Sequence, residues 1–240
     1  NLLTGCRELQ VTRFVFTSSP SVAQTDRGCA GGNESQSIPV SHRTHYQATK
    51  AQSEKRVLEA YSESLRTVAL RPRLVWGPGD PHLLPRLVDR SLKGRLALVG
   101  SGEELVDSTY IDNVVDAHLL AADALDCLPS PCAGKAYFIS NGEPRPMGVL
   151  INQLLDAAGA PAVRKRLPTW LAVGLGTALE AAWTMLPLRG EPPMTRFLAY
   201  QLSTPNWYAL DAAERDLGYQ ANVSIDEGLA RLADHLKSSG

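Results

Sequence analysis

Tyr46 and Lys50 stand four residues apart in "HYQATKAQSEK". On a helix that spacing puts both side chains on one face. A phenol ionises at about pH 10, and an adjacent ammonium favours the phenolate. A tyrosine in that setting can hand a proton to a carbonyl oxygen, or take one from an alcohol. Further hydroxyls would orient the carbonyl and stabilise charge developing on its oxygen. "FVFTSSPSV", residues 14–22, offers them: an apolar, β-branched run breaks into Thr17, Ser18 and Ser19 instead of the Gly, Asn or Asp of an ordinary turn. The carboxyl ends of parallel strands are where open α/β sheets bind ligands. A Tyr–Lys pair alone is a weak signal, with a solvated lysine and a half-buried aromatic as its plain reading, so the surrounding elements must carry it.

Those elements alternate. Residues 12–17 read as a strand, preceded by what looks like the last turns of a helix, "NLLTGCRELQ". Residues 23–43, rich in Gly, Ser, Gln and Asn, read as a long loop. Apolar positions at helical spacing from Tyr46 to about Leu65 predict a helix, and "TVALRPRLV" (67–75) a second strand stopped by "WGPGDP". "HLLPRLVDRSLKG" reads as a helix ending at Gly94, and "RLALVG" as a short strand. Asp112 is placed as the N-cap of the helix in "YIDNVVDAHLLAADAL"; "KAYFIS" (135–140) is a third core strand and "MGVLINQLLDAAG" another helix. The order predicts an α/β fold with a parallel sheet.

The stretch "LPTWLAVGLGTALEAAWTMLPL" (167–188) has about the length of a bilayer span, for which roughly 20 apolar residues are needed. Glu180 at its middle and its terminal proline argue against spanning. It is expected to be a buried helix or hairpin of a substrate lobe, with peripheral membrane contact as the alternative. Its two glycines, in "VGLGTALEAA", follow no strand and are not read as a phosphate loop.

Composition narrows the function classes. The 240 residues suffice for one large domain or two unequal lobes. With 24 basic residues against 25 acidic ones and no basic stripe, nucleic acid is excluded as a partner. Cys6, Cys29, Cys127 and Cys132 form no CxxC pair and have no associated His spacing, so they read as free thiols in a reducing, cytoplasmic setting, and no metal site is expected. His45 and His118 lack partners at ligand spacing and read as surface or core residues. Glu103 and Glu104 read as a solvated turn.

Taken together, "FVFTSSPSV", "YQATK", "LRPRLVWGPGD", "DSTYIDNVVDAHLLAA" and "GKAYFISNGEP" resemble the extended short-chain dehydrogenases/reductases, and specifically the 3β-hydroxysteroid dehydrogenase/isomerase family. "GEPPMTRFLAYQLST" and "AERDLGYQANVSIDEGL" are similar to its C-terminal parts, so the resemblance covers almost the whole chain. Within the family, the sterol-4α-carboxylate 3-dehydrogenases and the 2-alkyl-3-oxoalkanoate reductases are most similar.

The resemblance implies an NAD- or NADP-dependent oxidoreductase interconverting a secondary alcohol and a ketone on a steroid-like or long-chain β-keto/β-hydroxy substrate. Ser19 would be the triad serine, Tyr46 the acid/base and Lys50 the lysine contacting the nicotinamide ribose, with Ser18 the alternative if the strand register is off by one. Thr17, Ser18, Pro72 and Val75 join Tyr46 and Lys50 as implied cofactor contacts. The implied fold is a partial Rossmann-type doubly wound parallel sheet with a smaller, mainly helical substrate lobe. Residues 1–76 and 107–141 would form the C-terminal half of the NAD(P)-binding domain, and 77–106 and 142–240 the substrate lobe. No GxxGxxG turn opens the sequence, so the first βαβαβ half of the family, with its pyrophosphate site, is expected to be missing. Two rivals follow: a nucleotide-sugar epimerase or dehydratase on the same scaffold, and a truncated non-catalytic remnant. An apolar small molecule is the expected partner, with a homodimer as a further expectation.

Overall fold

Three parallel strands form the centre of the structure, a computed structural model that describes residues 1–25, 28–186, 192 and 194–239. The chain opens with α1 (Leu2–Glu8), β1 (Arg13–Thr17), a 3-10 turn (Pro20–Val22), β2 (Cys29–Gly32), α2 (His45–Glu59) and β3 (Arg66–Pro72). It continues through β4 (Val75–Trp76), α3 (Leu83–Leu92), β5 (Leu98–Val99), β6 (Leu105–Val106), β7 (Thr109–Tyr110), α4 (Ile111–Ala124) and β8 (Lys135–Ile139). The remainder comprises β9 (Arg145–Pro146), α5 (Met147–Ala157), β10 (Arg166–Leu167), α6 (Thr169–Met185), α7 (Arg196–Ser203), β11 (Asn206–Tyr208), α8 (Asp211–Leu217) and α9 (Ile225–Ser239).

The central sheet runs β1–β3–β8, with Thr17 opposite Leu70 and Pro72 opposite Ile139. β3 lies between the other two, and its Val68, Ala69 and Leu70 are fully buried. That explains its near-continuous apolar run, as expected of a strand covered on both faces. One cluster packs Val68, Leu70, Tyr137 and Ile139 against Ala117, Ala121 and Leu125 of the α4 region and Ala213, Leu217 and Tyr219 of the α8 region. Another joins Phe138 to Ala51 of α2, Val22 and Tyr208. β1 has no strand partner on its outer side among the described residues, and Phe14, Val15 and Phe16 are half-buried. A second sheet has the order β2–β11–β6–β9.

Several local expectations are corrected. The 23–43 segment is not all loop: "CAGG" is strand β2, recruited by β11 through Asn206 opposite Cys29. Non-local pairing there overrides a glycine-rich composition. The helix from Tyr46 stops at Glu59, and Leu65 is instead buried at the turn into β3. Asp112 does not cap α4; Tyr110 is the N-cap, and Asp112 lies in the first turn paired with Arg231 at 3.0 Å. The 67–75 strand is broken at Arg73–Leu74 into β3 and β4.

The 167–188 segment forms one helix, α6, and residues 187–188 lie outside the described residues. Gly174 and Gly176 sit inside that helix, so no phosphate-binding turn is formed. A Cβ on Gly176 would come within 2.6 Å of the Thr195 and Arg196 backbone, which is why α6 and α7 cross so closely there. The helix is not buried as expected. Ala172 and Gly176 face inward, but Trp170 is 74 % exposed, and Leu171, Leu175 and Met185 are exposed with it. Among the described residues no helix is long and apolar enough to cross a membrane.

Candidate active site

The hydroxyl run lies at the carboxyl edge of the central sheet. Thr17 ends β1, and the Ser18 amide donates to the Leu70 carbonyl at 2.6 Å, carrying the ladder one residue further. The Ser18 side chain is buried and its Oγ has no hydrogen-bond partner. Ser19 leaves the strand in an extended conformation and caps the 3-10 turn, where Pro20 fixes the next φ. Its Oγ accepts from the Ser21 amide at 3.3 Å and lies 2.9 Å from the Ser21 hydroxyl.

α2 brings the other two residues to the same edge. Thr44 caps it by accepting from the Gln47 amide at 3.2 Å. Tyr46 and Lys50 lie one turn apart on it, and Tyr46 is 54 % exposed. Lys50 Nζ donates to the Thr17 carbonyl at 2.8 Å and lies 5.1 Å from the Phe16 ring centroid. Beside Tyr46, Gln47 Nε2 donates to the Ser21 carbonyl at 3.0 Å. Deeper along the helix, Glu54 takes a bidentate pair from Arg71 of β3 at 2.9 and 2.6 Å, with both side chains buried. α2 is therefore fastened to β1, to the 3-10 turn and to β3, and Ser19, Tyr46 and Lys50 share one edge.

Pro72 and Val75 flank the break after β3. Leu74 sits at φ 43, a left-handed conformation that is unfavourable for leucine by about 1–2 kcal/mol. Its neighbours hold it there. Thr109 Oγ1 donates to the Arg73 carbonyl at 2.7 Å and lies 3.2 Å from the Ile139 carbonyl, and the Thr109 amide donates to the Leu74 carbonyl at 3.2 Å. Such strain persists only where surrounding contacts over-determine it, which is common at functional sites.

Two features of the site carry no motif. His118, read as a surface or core residue without partners at ligand spacing, places Nε2 2.8 Å from Thr17 Oγ1 and Nδ1 2.7 Å from the Val114 carbonyl. Since a carbonyl only accepts, Nδ1 carries a proton. The other is a polar floor beneath the site. Gln201 Nε2 donates to Gln24 Oε1, and Gln24 Nε2 donates to Asn206 Oδ1 at 2.6 Å and to Tyr208 Oη at 3.2 Å. Arg73 Nη1 donates to Gln201 Oε1 at 2.9 Å. Asp107 accepts from the Tyr208 amide at 2.9 Å, and burial raises its carboxyl to about 6 against the bonds from Tyr208 and Ser140 and the charge of Arg73. Burial likewise pushes the Tyr208 phenol up to about 12 and lowers the Arg73 guanidinium. No spacing signal could have revealed this floor, because its members are brought together only by folding.

The donor set fits the nicotinamide end of a dinucleotide. An exposed phenol and an ammonium one turn apart face the open strand end, beside the orphaned buried Ser18 Oγ. Ser18, Tyr46 and Lys50 would hold the nicotinamide and its ribose, with Pro72 and Val75 alongside.

Residues 1–169 match the 3-beta hydroxysteroid dehydrogenase/isomerase family. The chain is 53 % identical to a 2-alkyl-3-oxoalkanoate reductase of Stenotrophomonas maltophilia, over 97 % of its own length and 71 % of that protein's. It is 32 % identical to the decarboxylating sterol-4-alpha-carboxylate 3-dehydrogenase of Mus musculus, over 96 % of its length and 65 % of the relative's. Among solved structures, a dTDP-glucose 4,6-dehydratase from Bacillus anthracis in complex with NAD superposes with a TM-score of 0.68 at 14 % identity, covering 99 % of this chain and 65 % of that one. At that identity the likeness shows the fold alone. The chain thus spans about two thirds of the length of each of these three proteins. The resemblance read from the motifs and the Rossmann-type α/β fold are both borne out.

Proposed function

The chain belongs to the 3-beta hydroxysteroid dehydrogenase/isomerase family, and from that premise we propose that it interconverts a secondary alcohol and a ketone on a steroid-like or long-chain β-keto/β-hydroxy substrate, with NAD or NADP. The observation that carries this reading is the bond from Lys50 Nζ to the Thr17 carbonyl, which sets the Tyr46–Lys50 face of α2 over the strand end that delivers Ser19. Bound nicotinamide supplies or accepts the hydride. Tyr46 gives its phenolic proton to the carbonyl oxygen in reduction and takes one from the hydroxyl in oxidation. Lys50, one turn away, stabilises negative charge on the phenolic oxygen while that proton is elsewhere. Ser19, already oriented by Ser21, positions the substrate oxygen toward Tyr46.

The names of the two relatives, an oxoalkanoate reductase and a sterol carboxylate dehydrogenase, support an apolar substrate over a nucleotide sugar. The test is oxidation of NADH or NADPH by the purified protein with a 2-alkyl-3-oxoalkanoate, set beside dTDP-glucose as the rival. Consumption with the oxoacid that disappears in Tyr46→Phe supports the reading; turnover of the nucleotide sugar instead overturns it.

A second reading concerns α6. Trp170, Leu171, Leu175 and Met185 recur at helical spacing on one exposed face, and Arg164, Lys165 and Arg166 stand exposed immediately before the helix. An apolar face with a tryptophan and a basic flank is suited to lying in an anionic bilayer surface. We propose peripheral contact there, through which apolar substrate would be drawn.

A further inference from the structure

Arg71 and Arg73, two residues apart at the end of β3, are both buried, but they are treated differently. Arg71 has Glu54 in a bidentate pair, and only its Nη1 is left buried without a partner. Arg73 has one neutral acceptor, Gln201 Oε1. Its Nε is buried with no partner, and it forms no ion pair among the described residues. A guanidinium presents five N–H donors in a fixed fork that matches a carboxylate. Leaving a buried charged donor unsatisfied is costly, and such a group in a native structure calls for an explanation.

We propose that Arg73 binds a carboxylate carried by the substrate on the carbon next to its reacting carbonyl. The proposal rests on the reading of the site given above and names the substrate class as β-oxo or β-hydroxy carboxylic acids. Position supports it. Thr17 pairs with Leu70 and the Ser18 amide donates to the same Leu70 carbonyl, so Arg73 comes three residues after the point on β3 beside which the strand leading to Ser19 ends. The strained Leu74 and the hydrogen bond from the Thr109 hydroxyl to the Arg73 carbonyl fix the backbone on which Arg73 is carried. Its contacts lead back to the catalytic edge through Gln201 and Gln24, which follows the 3-10 turn begun at Ser19. Asp107 does not fill the role. Its carboxylate accepts from the Tyr208 amide and supplies Arg73 with charge at a distance rather than a fork partner.

Were Arg73 only a brace for α7, one donor to Gln201 would suffice, and removing it would affect every substrate alike. The two cases separate with a 2-alkyl-3-hydroxyalkanoate and its primary amide, each assayed for oxidation by NAD or NADP and each titrated calorimetrically against the protein. Wild type should favour the acid at least tenfold in KM. Arg73→Gln should raise the KM for the acid about a hundredfold and leave that for the amide within threefold, since a site built for a polar group discriminates sharply against its absence. Arg73→Lys should recover part of the loss. Equal losses for acid and amide, or acid binding untouched in Arg73→Gln, overturn the assignment. If neither compound is oxidised but acid binding still depends on Arg73, the carboxylate site stands and the oxidoreductase reading falls. Should Arg73→Gln fail to fold, wild type alone decides: equal affinity for acid and amide overturns the proposal, and a tenfold preference supports it.

Discussion

The Lys50 ammonium reaches across from α2 to the carbonyl of Thr17, the last residue of β1, at 2.8 Å. One side chain thereby joins the helix that carries the phenol to the strand that carries the serine. Replacing it by methionine removes both the bond and the charge beside Tyr46. A hydrogen bond to a charged group contributes about 1.5–3 kcal/mol, less where it is partly open to water, so the fold should survive. Turnover of Lys50→Met should fall about a hundredfold or more, with only a few degrees lost in a thermal melt. Wild-type turnover in this variant would remove Lys50 from the site.

Tyr46 presents the opposite case, because more than half of it is exposed and little packing depends on it. Tyr46→Phe keeps the ring and deletes the proton donor. General acid–base catalysis contributes roughly 10²–10⁴-fold, and kcat should drop by that factor while the melting temperature stays within about two degrees. Activity within threefold of wild type would show that the proton comes from elsewhere.

Glu54 and Arg71 clamp the same helix to β3 from inside the core. Removing one member leaves the other charge buried and unpaired, typically a loss of about 3–5 kcal/mol, whereas replacing both by apolar residues is often close to neutral. Glu54→Gln should therefore unfold at clearly lower denaturant than Glu54→Met combined with Arg71→Met. The double variant tests geometry as well: if it regains stability but not turnover, the pair also sets the position of Tyr46 and Lys50. A single variant as stable as wild type would contradict the buried clamp.

Asp107 predicts a pH signature in stability. The native carboxyl keeps its proton up to about pH 6, pushed there by burial, while an unfolded aspartate releases it near pH 4. Between those values the native state binds the extra proton, so this residue favours the fold below about pH 4 and the contribution is lost as pH rises through about 6. A shift of about two units corresponds to roughly 3 kcal/mol. Asp107→Asn cannot titrate, so its unfolding free energy relative to wild type should move by about 2–3 kcal/mol in favour of asparagine between pH 4 and 7. A difference that stays flat across that range would refute the assignment.

The strands β1, β3 and β8 were legible because their β-branched and aromatic runs suit buried positions on a sheet, and Ser19, Tyr46 and Lys50 because their spacing is local and tied to a motif. β2 was hidden, since "CAGG" has no strand signal and is held by a partner near the other end of the chain. Arg73 reads as one more arginine in "LRPRLV"; only Gln24 and Gln201, far away in sequence, show how it is buried and how few of its donors are used. His118 acquires Thr17 as a partner for the same reason. The exposed side of α6 was illegible because an apolar run does not say which of its faces the rest of the protein will cover.

That exposed side gives the last prediction. Trp170, Leu171, Leu175 and Met185 face outward, while Ala172 and Gly176 hold the helix against the body of the protein, so changes on the outer face leave the inner packing in place. Apolar burial contributes about 25 cal/mol per Å², and each nearby basic residue adds roughly 1 kcal/mol at an anionic surface. Sedimentation with vesicles should therefore show binding to membranes containing phosphatidylserine and little to neutral phosphatidylcholine. Trp170→Glu together with Leu171→Glu should abolish it, and high salt should weaken it, since the charge contribution of Arg164, Lys165 and Arg166 is screened within about 10 Å at 0.1 M salt. Reversing the charge of that basic run should have the same effect as salt, at a small loss of stability from the Lys165–Gly94 bond and the exposed Arg166–Glu103 pair. Equal recovery in the supernatant with both lipids would mean that α6 faces water and that the apolar substrate reaches Tyr46 without help from a bilayer.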